Sequence, residues 1–198
     1  MVVAVLVAFL SAGTSIGVAE SVQSYFFDSD HTEVRFYWSH GGVSDQSAEF
    51  TSVKGDATFD RSNLSNSSVS ISIDAKSATS GIAHLDGQFK SPYYFSVKEH
   101  PKITFVSTEI RQVSPKLALI TGDLTLRGVT KPVILEAELR HDGEHPVGKS
   151  LPYYRGDWLG IHATTTLLRS DFGMDSHLPI ISDRIAIEIN AELKARKP

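Results

Sequence analysis

The sequence predicts an all-β fold: a closed antiparallel barrel of about eight strands with one short helical segment. Three observations lead there. Apolar residues recur at every second position in run after run, the period of a strand with one buried face. The runs are joined by mostly short connections carrying Gly, Pro, Asn or Asp. One stretch, Ser77–Val97, lacks the two-residue period and reads instead as a short helix with aromatic neighbours. Antiparallel strands that each have one apolar face close most economically into a barrel, which leaves no free edge.

The clearest unit is Ile120–Val133, ITGDLTLRGVTKPV. Leu124 and Leu126 alternate with Asp123, Thr125 and Arg127, Gly128 breaks the run, and Val133, Leu135, Ala137 and Leu139 begin another. Two such runs around a Gly-containing turn are a hairpin. Upstream, Val34, Phe36 and Trp38 share the inward face of the first strand, with Glu33, Arg35 and Tyr37 opposite. After Gly41-Gly42, the run from Ala48 to Phe59 continues with Val53, Gly55, Ala57 and Phe59 on one face. Gly55 in mid-strand predicts a bulge or sharp bend at a barrel corner. Val69, Ile71 and Ile73 mark a third strand. His84, Leu85, Gln88 and Phe89 then predict a short helix ended by Pro92. Phe89, Tyr93, Tyr94 and Phe95 give it the apolar surface of a plug or a lid. Ile103 to Val106 opens the next strand, and Ile161, Ala163, Thr165 and Leu167 form a Thr-rich one. Ile185, Ile187 and Ile189 form the last. A Pro/Gly-rich insertion, His141–Gly160, interrupts the series.

The chain has 198 residues, 41% hydrophobic and 21% charged, enough for one domain with a substantial core. A net charge of -4 and a pI near 6.0 argue against a nucleic-acid binder and against adhesion to anionic lipid by charge. The lack of cysteine excludes disulfides and thiolate zinc sites. Residues 1–19 carry no charged side chain. Their apolar run Val2–Leu10 is shorter than the roughly 20 residues a bilayer span needs. Gly17-Val18-Ala19 supplies a small-x-small cleavage pattern, so this stretch reads as a signal peptide, although no Lys or Arg precedes the run. Residues 20–198 are then the mature domain.

Several motif matches fail for want of context. Gly13–Gly17 fits G-x-S-x-G but lies in the leader, where no strand–turn–helix can form. Gly143–Ser150, GEHPVGKS, fits the P-loop pattern by letter. Pro146 removes a backbone donor, a poor helix follows, and no βαβ unit surrounds it, so no nucleotide is expected. Asp171-Phe172-Gly173 lacks every other kinase signature. Arg169 and Asp171 are expected to pair, to cap a turn, or to meet a ligand head group. The eight histidines are scattered and, with three or four converging ligands required, no metal is expected. No catalytic residue is assigned.

At eight strands the interior either is filled by side chains or holds one slender ligand. Six segments, in order, decide the reading: DSDHTEVRF (Asp28–Phe36), KGDATFD (Lys54–Asp60), SVSISIDAKS (Ser68–Ser77), HLDGQFKSPYYFSVKEHPKITF (His84–Phe105), TGDLTLRGVTKPV (Thr121–Val133) and TTTLLRSDFGM (Thr164–Met174). Together they cover essentially all of Tyr25–Leu193, and the chain resembles the YceI family of lipid- and polyisoprenoid-binding proteins. The resemblance implies an extended lipocalin-like barrel in the bacterial periplasm. Its long apolar pore would hold an isoprenoid chain of quinone or polyprenyl type, or a similar long-chain lipid. The insertion at His141–Gly160 is longer than in the shortest members and stands where it could reshape the pore mouth, so head-group preference is not carried over.

The expected lipid-lining residues are Val34, Phe36, Trp38, Phe50 and Phe59 from the first strands, with Ile71 and Ile73 beside them. Phe89 and Phe95 come from the helical segment, and Ile103, Phe105, Leu124 and Leu126 from the middle of the chain. Ile161, Phe172 and Ile187 complete the set. His162, Arg169 and Asp171 are the candidate head-group contacts. The bound lipid is the only ligand expected, with no cofactor; transient membrane contact and a homodimer are compatible with the pattern. An enzyme using the barrel as a substrate tunnel, with His162 or Asp171 as its reactive group, is the alternative. A barrel packed solid is the third.

Overall fold

The computed structural model describes residues 22–197, so the expected signal peptide and the motif match within it lie outside the described residues. The strands are β1 (Val22–His40), β2 (Ser44–Phe50), β3 (Val53–Asp60), β4 (Ser68–Asp74), β5 (Ala78–Thr79), β6 (Lys102–Ser114), β7 (Leu117–Leu126), β8 (Val129–Glu144), β9 (Asp157–Leu168) and β10 (Arg184–Ala195). One α-helix, α1 (Ala83–Lys90), lies between β5 and β6. The sheet runs β10-β9-β8-β7-β6-β4-β3-β1, and β1 pairs with β10 to close it. That is an antiparallel barrel of eight strands, with β2 and β5 added at its rim.

β1 organises the closure. It is 19 residues long, and its two halves have different neighbours. Val22–Phe26 pairs with β3, Val34–His40 pairs with β2, and β10 runs along the other side of both. The run expected as one strand from Ala48 to Phe59 is therefore two, broken at Thr51-Ser52 where the chain passes from the rim into the barrel. Several strands are 12 residues or longer, and at about 3.3 Å per residue they make a tall wall.

Two glycines are explained by contact. Gly55 makes no bulge: the ladder runs unbroken from Val53↔Ile73 to Thr58↔Ser68. Instead the Phe27 ring lies across it, and a Cβ on Gly55 would stand 2.7 Å from Phe27 Cδ2. Gly122 meets Phe105 the same way, at 2.7 Å from Cε2. Both rings thereby take the space that a side chain at the glycine would need. The expected hairpin is β7–β8, turned by Arg127 and Gly128 at φ of 52° and 73°. Two positive φ angles make a turn whose twist matches the strands it joins.

Helix α1 covers one end. It is too short to be stable alone, so packing must hold it. Phe89 meets Phe36 and Trp38 at ring distances of 5.5 and 5.7 Å, and Phe95 meets Phe50 at 5.3 Å. The Asp86 carboxylate ties down the preceding turn, accepting from Ser80 N and Thr79 Oγ1, both at 2.7 Å. These bonds hold its pKa below the ordinary aspartate range. The helical segment is thus a lid on the barrel.

The insertion is shorter than its composition implies. β8 extends to Glu144 and β9 starts at Asp157, leaving a loop of 145–156 with a single 3-10 turn at Pro152–Tyr154. In the P-loop-like match, Gly143 and Glu144 are the last residues of β8 and His145–Gly148 makes a tight turn, Gly148 N donating to His145 O at 2.8 Å. No α-helix follows it among the described residues.

Candidate functional site: an apolar barrel interior

The alternation that builds the strands also builds the site, because every second side chain points into the barrel. The interior holds two chambers. The first, beneath α1, has a volume of about 480 Å³. The second, toward the other end, has about 660 Å³. Ile71, Leu135 and Ile189 border both, so the chambers are neighbours within the barrel. Each lies within the size range of small-molecule sites, roughly 300–1,000 Å³.

The first chamber is bordered by Val34, Phe36, Trp38 and Phe50 on the β1–β2 side, and by Ile71, Ile73, Ile103 and Phe105 on β4 and β6. Leu124, Leu126 and Ile187 close the opposite wall, and Phe89, Phe95 and Phe172 the lid end. Phe59 and Ile161 border the second chamber instead, because they sit farther along their strands. Sequence reading did not single out Leu85, Leu167, Met174, Ile181 or Ile189, which also face the first chamber. Leu167 and Ile189 carried the alternation signal; Met174 and Ile181 stand in irregular chain and carried none.

The three head-group candidates separate. Arg169 borders the first chamber and is 3% exposed. Its guanidinium donates to the carbonyls of Met174, Ser182 (3.0 Å) and Ile181 (2.9 Å), which ties the 3-10 turn at Arg169–Phe172 to the chain before β10. Burial lowers its pKa from the ordinary arginine value. His162 does not reach the interior. It shares the outward parity of β9, and its Nδ1 lies 3.0 Å from Asn190 Oδ1 and 3.9 Å from Glu188. Asp171 is exposed and ion-paired with Lys131 at 2.7 Å, not with Arg169, because the tight turn sends the two side chains apart. Both are corrections to the expected head-group set.

Other polar groups border the chambers. His40, Gln46, Gln88 and Tyr94 edge the first chamber. The second ends at Arg61 and Asp142. Arg61 Nε lies 3.0 Å from both Asp142 carboxylate oxygens, and its Nη2 donates to Tyr25 Oη at 2.9 Å. Hydrogen bonding to Asp142 raises the Arg61 pKa above the ordinary arginine value. Asp142 stood in the insertion, with nothing local in the sequence to pair it with a residue on the β3–β4 connection.

A closed antiparallel barrel around an apolar space of ligand size defines the class. The YceI-like domain model matches residues 25–193, and the chain belongs to that family. A UPF0312 protein of Pseudomonas putida strain W619 is 34% identical over 167 residues, covering 84% of this chain and 82% of its own. A UPF0312 protein of Ectopseudomonas mendocina is 32% identical over 189 residues, covering 94% and 95%. Among solved structures, Burkholderia cenocepacia BcnA aligns with a TM-score of 0.73 at 19% identity, covering 84% of this chain and 98% of that one. A polyisoprenoid binding domain from Saccharophagus degradans aligns at 0.66 with 13% identity, covering 88% and 99%. At those identities the likeness concerns the fold.

Proposed function

We propose that this protein is a periplasmic carrier or sequestering protein for a polyisoprenoid or similar long-chain lipid. The observation that carries this reading is the pair of neighbouring chambers: the first is walled almost wholly by aliphatic and aromatic side chains, and the second is apolar where it adjoins the first, at Ile71, Leu135 and Ile189, and polar toward Arg61 and Asp142. The polyisoprenoid binding domain of Saccharophagus degradans, with the same fold, supports the choice of ligand class. The mechanism is desolvation: the lipid leaves water or membrane for a preformed apolar space. Catalysis has no support from the two residues that would have provided it, since His162 and Asp171 lie outside the chambers. At the chamber wall, three of the five guanidinium N–H groups of Arg169 are used by carbonyls. The remaining donors would serve a carbonyl or hydroxyl head group.

Magnitudes set the expected chain-length dependence. Each buried CH₂ gives about 0.8 kcal/mol, so forty carbons counted fully would give about 30 kcal/mol. That exceeds the practical ceiling of about 18–21 kcal/mol. Ordering of the chain and incomplete desolvation remove the surplus. Affinity should therefore rise with chain length while added units enter the second chamber, then level off. Displacement of a fluorescent fatty probe by isoprenoid alcohols of increasing length measures this. Affinity independent of length would contradict it.

A further inference from the structure

A second cluster, on the outer wall, plays no part in lipid binding. It lies at the seam where β1 meets β10. The ladder passes from Phe27↔Leu193 to Thr32↔Ala191, so residues 28–31 of β1 stand opposite Glu192 alone. This bulge carries Asp28 and His31 to Glu192, and one ligand atom of each of the three lies within 4.8 Å of the others. Asp28 is buried, at 4% exposure, and its Oδ2 lies 3.0 Å from His31 Nδ1.

The loop 145–156 brings a fourth residue to the edge of this set, against Glu192 but not within the same 4.8 Å of Asp28 and His31. His145 Nε2 stands 3.4 Å from Glu192 Oε2. That pair is not aligned as a hydrogen bond, and Glu192 Oε2 is the buried side-chain oxygen left without a hydrogen-bond partner among the described residues. His145 is seated against Tyr154 and Trp158, at ring distances of 4.5 and 5.1 Å. Trp158 is 1% exposed and donates from Nε1 to Tyr154 O at 3.0 Å, so the loop presents a fixed imidazole. Tyr154 Oη lies 3.4 Å from His31 Nε2, linking the two histidines through one side chain.

We propose that Asp28, His31, His145 and Glu192 form a binding site for a divalent first-row transition ion, with Zn²⁺ as its simplest occupant. Two imidazoles and two carboxylates are a donor set suited to such an ion, whereas Ca²⁺ and Mg²⁺ prefer oxygen ligands alone. Tetrahedral zinc with bonds of about 2.0–2.1 Å places its ligand atoms about 3.3–3.4 Å apart. The His145–Glu192 separation of 3.4 Å meets that, and it accounts for an oxygen that no protein donor satisfies. The ion would staple the insertion loop to the one place where the closing ladder is interrupted. In a chain without cysteine, no disulfide can do so.

The competing arrangement is two ordinary histidine–carboxylate pairs, and metal binding separates the two. The probes are Co²⁺ and Zn²⁺ added to the full protein, made without a histidine tag and stripped by chelator. One Co²⁺ per chain should bind with the visible spectrum of a tetrahedral site, and Zn²⁺ should displace it and raise Tm. His145→Ala and the isosteric Glu192→Gln should each weaken binding about tenfold or more, while His177→Ala leaves it unchanged. Near-UV circular dichroism reports that the variants are folded. Absence of saturable binding, or equal affinity in folded Glu192→Gln, would overturn the site.

Discussion

Phe105→Asp abolishes co-purification of long-chain lipid, and Phe36→Asp does the same. Both rings border the first chamber and both are 6% exposed. Replacing either removes apolar surface worth about 1.5–3 kcal/mol. It also places a carboxyl group in an apolar wall, where burial would drive its pKa up and favour the protonated form. The combined penalty of about 3–5 kcal/mol is a loss of roughly 100- to 4,000-fold in affinity. The same change strains the fold, since the Phe105 ring fills the space over Gly122. Occupancy must therefore be read on protein that circular dichroism shows to be folded, with the milder Phe105→Ala alongside. Normal lipid content in a folded Phe105→Asp protein would refute the assignment of the interior as the binding site.

Arg169→Ala destabilises the protein by about 3–5 kcal/mol. Three carbonyls, of Met174, Ile181 and Ser182, lose their donor together, and a buried carbonyl left unpaired costs about 1–3 kcal/mol. Relief from burying a guanidinium offsets part of the sum. Arg169→Lys should recover only some of the loss, because an ammonium on a flexible stem does not reproduce a planar fork. Urea denaturation measures both, as a shift in midpoint at unchanged m-value. An Arg169→Ala midpoint equal to wild type would show that the carbonyls find other partners and that the turn does not depend on this side chain.

Much of this was legible because a strand's side-chain period is two. Once Val34, Phe36 and Trp38, or Ile185, Ile187 and Ile189, are assigned to a face, the wall of the cavity follows. The same rule places His162 outside, since its neighbours Ile161 and Ala163 point in; proposing it as a head-group contact set parity aside. Division of the lining between two chambers was not legible, because it depends on how far along the barrel each residue lies. Of the bulge or sharp bend expected at Gly55, the ladder excludes the bulge, and the contact that requires glycine there was hidden for a related reason: the ring, Phe27, sits on a different strand. Nor could local sequence pair Asp171 with Lys131 across 40 residues, when Arg169 stood two positions away. The cluster of His31, His145 and Glu192 is the extreme case. Scattered histidines carry no spacing signal when a bulge, a loop and a strand deliver them separately.

The central claim is that the barrel interior is a lipid site, and its most direct test needs no variant. Protein purified from its native host is extracted with organic solvent, and the extract is analysed by mass spectrometry against the protein quantity. The account predicts one class of long-chain isoprenoid or related lipid, approaching one molecule per chain. An empty extract, with the interior of the same preparation closed by side chains, would contradict it.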